Sequence, residues 1–207
     1  MLMTKPIPYA SGRVLLVIVL WLVAAIVFGA SGLPQRLKPP APQVLLLGLS
    51  VLSLLAVFLL PRLRTWAEAL DVRWLVALHL TRFVGFYFLL LYNRGEMPKA
   101  FAVTAGWGDN VVATLAILLL VAGAPPRQGR WLLYLIWNII GLIDILFVIA
   151  TAARIGIKDP ASMHALLTLP LNLLPTWLVP LIIASHIVLF VRLAGMRKGV
   201  IARAHTA

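Results

Sequence analysis

The sequence has no cysteine, and that absence removes several chemistries at once. Disulfides, c-type haem attachment, iron–sulfur clusters and thiolate zinc sites all need a thiol. Charge is scarce as well. Asp and Glu together number 6 in 207 residues, and charged residues make up 12%, against about a quarter in a soluble domain. The His-Glu-x-x-His helix, the Gly-x-Ser-x-Gly elbow, the phosphate loop and the dinucleotide fingerprint are all missing. Ser185 and His186 are neighbours in sequence, so on a helix they diverge by about 100° and cannot form a dyad with each other. No enzyme activity, catalytic residue or metal site is expected.

What the chain does have is apolar length. Hydrophobic residues make up 62%, more than a soluble fold of this size could bury, so lipid must solvate the rest. The net charge of +12 is dispersed in pairs between long apolar runs rather than gathered in one patch. That is the pattern of a membrane protein, not of a nucleic-acid binder. The lipid bilayer is the expected partner, nucleic acid is not, and a homo- or hetero-oligomer is left open.

Spanning hydrocarbon takes about 20 apolar residues. Six segments meet that length, roughly 13–30, 43–61, 73–93, 104–123, 131–153 and 176–194. They predict an all-α, polytopic membrane protein with one transmembrane domain over 1–207. The apolar run from Val14 to Phe28 exceeds the about 7–15 residues of a signal h-region, and is read as a retained first helix. A Pro-rich linker, Leu33 to Pro42, separates the first two spans. Arg62 to Val72 is too polar to span and predicts a short helix on the membrane surface. Pro125-Pro126 closes the fourth span.

Lys and Arg orient the chain. With the N-terminus inside, Lys5, Arg13, Arg62, Arg64, Arg73, Arg127, Arg130, Arg192, Arg197, Lys198 and Arg203 share one face, eleven in all. Arg36, Lys38, Arg94, Lys99, Arg154 and Lys158, six, share the other. The richer face belongs in the cytoplasm, which predicts both ends inside and residence in the cell inner membrane. Trp74 and Trp131 then open spans at the inner interface, and Trp107 and Trp177 at the outer one.

Two outer segments are expected to be broken or re-entrant. Pro98 to Gly123 is about 39 Å as one helix, with Gly106-Trp107-Gly108 as the natural break and Asp109 opening the main span. Ser162 to Pro180 carries Pro170, Pro175 and Pro180 in apolar surroundings and is read as a dip into the protein before the last span.

Ionisable groups inside spans are expensive, which makes each one a functional hypothesis. Arg82, Asp144, His79 and His186 lie well inside, Asp109 lies nearer the outer edge, and Asn138 adds an amide. At 1.5 Å per residue, His79, Asn138 and His186 fall about 9–12 Å from the cytoplasmic end, Arg82 about 14 Å, and both aspartates near 20 Å. Four helices therefore place polar groups in two adjacent layers, which should turn toward one another. His79, Arg82 and Phe86 are expected on one face. Arg82 can neutralise one carboxylate, so the other must be protonated, meet a cation or reach water. Each residue also has a plainer use. Asp109 could cap a helix, Arg82 with Asp144 could lock two helices, Asn138 could bond between helices, and His186 could bond a carbonyl. His164 and His205 are read as incidental. Gly85, Gly106, Gly108 and Gly141 are read as close helix contacts.

The run His79-x-x-Arg82-x-x-Gly85-x-x-Phe88, then Gly95-x-x-Pro98-x-x-Phe101-Ala102, Gly106-x-Gly108-Asp109, Trp137-Asn138-x-x-Gly141-x-x-Asp144 and Pro175-x-x-x-x-Pro180 before His186, resembles a family of small bacterial six-helix inner-membrane proteins without assigned activity. The resemblance covers about 79–190 and carries no mechanism. Its pattern has glutamine where this chain has His79, which counts against a role that needs an imidazole there.

Three functions compete. One is a small transporter or permeation protein for protons, cations or a small polar solute, with Arg82, Asp109, Asn138, Asp144 and His186 as its site. Another is a b-type haem or quinone redox protein, with haem b between His79 and His186 and with Arg73 and Arg192 on the propionates. The third is a structural or accessory subunit whose polar groups fix helix packing. The first and third carry equal weight and no cofactor.

Overall fold

The computed structural model describes residues 10–123 and 130–204. Of the positions used above, Lys5, Pro125, Pro126, Arg127 and His205 lie outside those residues. The described chain is helical throughout, in the order α1 (Ala10–Ala30), α2 (Leu33–Arg36), α3 (Ala41–Leu59), α4 (Pro61–Ala69), α5 (Val72–Ala77), a 3₁₀ stretch (Leu78–Val84), α6 (Gly85–Asn93), α7 (Lys99–Ala122) and α8 (Trp131–Lys158). A second 3₁₀ stretch (Ala161–Leu167) and a π turn (Leu174–Leu178) then lead into α9 (Val179–Ala204). Six helical stretches are long and apolar enough to cross a membrane: Gly12–Ala30, Ala41–Leu59, Val72–Asn93, Lys99–Ala122, Trp131–Lys158 and Leu174–Met196.

Helix α7 organises the rest. Its residues Ala102, Ala105, Asp109, Val112, Ala116 and Leu119 are buried, and they recur at alternating intervals of three and four, one continuous helix face. Small side chains on that face let backbones approach closely. At Gly85 of α6 a Cβ would collide with the carbonyl oxygen of Gly106, so the two helices cross backbone to backbone. Two expectations fail here. No break occurs at Gly106-Trp107-Gly108, because α7 runs unbroken from Lys99 to Ala122. Asp109 is therefore in mid-helix and caps nothing, and Trp107 lies two turns inside the helix rather than at its start. Each glycine costs a helix about 1 kcal/mol, and the close packing each one permits offsets that cost.

The C-terminal end of α7 is tied to α8. The Tyr134 hydroxyl lies 2.9 Å from the Gly123 carbonyl and 3.2 Å from that of Leu119, and so shares its one hydrogen with the end of α7. Trp137 donates its indole N–H to Val112 O at 3.1 Å. Short α4 occupies part of the polar stretch Arg62 to Val72, and Arg192 of α9 donates to the carbonyls of Leu70 and Ala67 at its C-terminal end. A cation suits a helix C-terminus, where the last carbonyls and the dipole are negative. Asp71 caps α5 by accepting from Arg73 N at 2.9 Å.

Helices α1 and α3 are peripheral. Leu15, Leu16, Val17, Leu20, Val44, Leu47, Val51 and Leu55 are all exposed along them, as lipid-facing positions would be. Docking of α1 follows from a proline. Pro180 has no N–H, so it cannot bond the Thr176 carbonyl four residues back, and that carbonyl accepts from the Trp21 indole of α1 at 2.9 Å. Trp177 returns the contact by donating to Ile18 O at 3.2 Å.

Candidate functional site

Two of the buried polar residues sit in the one part of the third membrane-length helix that is not α-helical. The 3₁₀ stretch Leu78–Val84 turns once every three residues, so side chains three apart eclipse. His79 and Arg82 therefore project in one direction, and both are buried. This corrects the expected face of His79, Arg82 and Phe86. A three-residue turn carries the face on to Gly85, which is buried, and swings Phe86 out, which is exposed.

Arg82 is 1% exposed and reaches two helices besides its own. Its Nε donates to Asp109 Oδ1 of α7 at 2.6 Å, its Nη1 to the Gly141 carbonyl of α8 at 3.0 Å, and its Nη2 to Asp144 Oδ2 of α8. The expected division, one paired carboxylate and one left over, is replaced by a guanidinium shared between both. The planar fork of Arg suits that bridge, and the point charge of Lys would not. With both carboxylates ionised, one guanidinium leaves a surplus of one negative charge. Asp109 is buried, whereas the Asp144 side chain is 18% exposed. Gly108 makes room for Asp144: a Cβ there would land on the Asp144 carboxylate.

A second layer lies against the first. A Cβ at Gly141 would come 2.7 Å from His186 Cε1, so the residue whose carbonyl receives Arg82 also carries the His186 ring. His186 Nδ1 pairs with Asn138 Oδ1 at 2.7 Å, and Asn138 Nδ2 donates to His186 O at 3.0 Å. The His79 and His186 rings are in contact, with centroids 4.3 Å apart, and Trp137 packs edge-on to His79 at 4.9 Å. His79 Nε2 meets Ser185 Oγ at 3.0 Å, while Ser185 Oγ donates to Ile182 O at 2.8 Å. Ser185 has only one hydroxyl hydrogen. With that hydrogen on Ile182, His79 donates from Nε2 and keeps a bare lone pair on Nδ1. In His186 the amide of Asn138 takes the Nδ1 hydrogen, which leaves the lone pair on Nε2. Neither His79 Nδ1 nor His186 Nε2 has a hydrogen-bond partner.

Arg82, Asp109, Asp144, His79, His186 and Asn138 are thus brought to one interior place between α5–α6, α7, α8 and α9. Sequence reasoning missed two members. Ser185 pairs with an imidazole on another helix, a partner that local spacing could not reveal. Asn110, next to Asp109, is buried with neither side-chain polar atom bonded, and its signal was its position on the buried side of α7. His164 is exposed.

The pair His79 and His186 does not fit haem b. Two axial ligands must face one another across a macrocycle plane, whereas these rings touch, with centroids 4.3 Å apart and no room for a macrocycle between them. Arg192, assigned to a propionate, is held by backbone carbonyls instead.

Two cavities lie side by side, and the smaller of them borders the charged layer. One, about 120 Å³, is lined by residues that include Leu37, Pro39, Gln43, Gly156, Pro160 and Met163. The other, about 60 Å³, is walled by apolar side chains with Thr81, and with Arg82 and Asp109 among its lining.

Residues 39–194 match the family model described as a domain of unknown function, DUF8737. The chain belongs to that family. The match starts before α3, so it reaches one helix further toward the N-terminus than the resemblance over 79–190 and leaves out only α1 among the membrane-length helices. No curated protein and no solved structure matches the chain.

Proposed function

We propose that this is a multi-pass protein of the cell inner membrane, with both ends in the cytoplasm, which moves protons or a small cation through its buried charged layer. The observation that carries the reading is the bridge of Arg82 between Asp109 and Asp144, a set with one negative charge more than it can neutralise. Burying such a surplus in a membrane protein costs several kcal/mol. A helix-locking device would manage with one carboxylate. A proton or cation arriving at Asp144 removes the surplus, and the lone pairs of His186 and His79 in the next layer offer a proton its following positions. Orientation rests on the eleven-to-six distribution of Lys and Arg, and the Pro-rich stretch before the π turn forms the outer approach.

Asp144→Asn tests this. In proteoliposomes holding a pH-sensitive dye, the variant is expected to lose at least 10-fold in flux while it elutes as a folded species. Full flux through Asp144→Asn would remove the layer from the mechanism.

A second reading has its own support. Arg82 is satisfied by three acceptors on two helices besides its own, which is also what a structural staple of an accessory subunit would show. That role predicts the opposite outcome, unchanged flux with a lowered unfolding temperature.

A further inference from the structure

The two cavities share Leu46, Ile149, Ala152, Leu166 and Pro175 in their walls. The two are adjacent, and a ligand spanning both would follow one passage. At its outer end Leu47 and Pro160 are exposed. At its inner end stand Arg82 and Asp109, both buried. An apolar cavity forfeits the dispersion contacts its walls would otherwise make, and one lined in this way stays dry. The larger part, about 120 Å³, approaches the roughly 150 Å³ that holds a benzene ring.

We infer that this passage binds a lipophilic monocation, an amine or quaternary ammonium on a compact apolar body, whose charge replaces the one missing beside the Arg82–Asp109–Asp144 set. The inference deepens the proposed transport reading and rests on its charge count. Sign decides the class. Arg82, the cation in the passage wall, is already engaged by both carboxylates, so it is not free to receive an anion. Two carboxylates repel an anionic headgroup. A neutral molecule would gain the apolar contacts and leave the surplus charge unmatched. A hydrated inorganic ion would find only Gln43 and Thr81 as polar lining before it reached Arg82 and Asp109. A lipophilic cation satisfies both ends of the passage. A proton satisfies the charge alone, so the two compete for the same carboxylates.

Benzyltrimethylammonium and its uncharged isostere neopentylbenzene provide the test, by calorimetric titration of the full chain in lipid nanodiscs. The cation is expected to bind at least 10-fold more tightly than the isostere, and its affinity to fall as pH is lowered. Asp109→Asn should weaken it at least 10-fold. Since that variant could lose its fold, Ala152→Phe serves as an independent probe. It narrows the passage where its two parts meet, about two turns of α8 from Asp144, and should weaken the cation equally. Equal affinity for cation and isostere, indifference to Ala152→Phe, or absence of binding would overturn the inference. Absence of cation binding together with flux lost in Asp144→Asn would leave the transport reading standing alone. Cation binding without any flux would sink transport and keep the site.

Discussion

Replacing Arg82 with methionine would keep much of the side chain's bulk and strand two carboxylates on one another. Removing one partner of a buried ion pair costs about 3–5 kcal/mol, so Arg82→Met is expected to lower the unfolding midpoint sharply in detergent, and adding Asp109→Asn to it should recover part of the loss. No recovery in the double variant would mean that the pair is not energetically coupled. Gly108→Ala probes the same layer through shape. The new methyl would occupy the place of the Asp144 carboxylate, and flux should fall with Asp144 itself intact. Stability matching wild type with flux also matching would show that the carboxylate sits elsewhere. The residue types at this layer were legible from the sequence, because ionisable groups are rare enough in apolar helices to be noticed singly. Their pairing was not, since whether Arg82 meets one aspartate or both depends on the rotation of three helices about their axes.

At the scale of elements, helix identities and ends were readable within a few residues for most spans, because apolar length is a signal that local context does not override. The misreadings share a cause. Glycine was read as a breaker at Gly106-Trp107-Gly108, where it serves close packing inside an unbroken helix. The 3₁₀ stretch Leu78–Val84 altered which residue joins His79 and Arg82, and no periodicity argument tuned to 3.6 residues anticipates a local period of three. Proline at 180 was noticed without its consequence, the carbonyl of Thr176 released for Trp21. Trp21→Phe removes that hydrogen bond alone and should cost about 1 kcal/mol, read as a lowered unfolding midpoint. No change would mean that this hydrogen bond adds nothing net to the docking of α1.

At the scale of the whole molecule, the chain's freedom from cysteine makes its orientation directly measurable, since a single introduced cysteine is the only thiol present. Arg154→Cys is expected to react with an impermeant maleimide in intact cells, and Arg64→Cys only after the membrane is opened. The reverse pattern would invert the topology and place the mouth of the apolar passage on the cytoplasmic side. The fold brings four helices' polar groups to one interior layer, and peripheral α1 and α3 contribute little to that layer. The family match begins ahead of α3 and leaves α1 outside it.

The most direct test of the central claim sets flux against stability in the same preparations. Proton movement into proteoliposomes and the unfolding midpoint are measured for wild type, Asp109→Asn and Asp144→Asn. The account predicts wild-type flux above empty liposomes, at least 10-fold less in each variant, and midpoints that remain cooperative in both. Variants that carry wild-type flux, or a wild type no more permeable than empty liposomes, would contradict it.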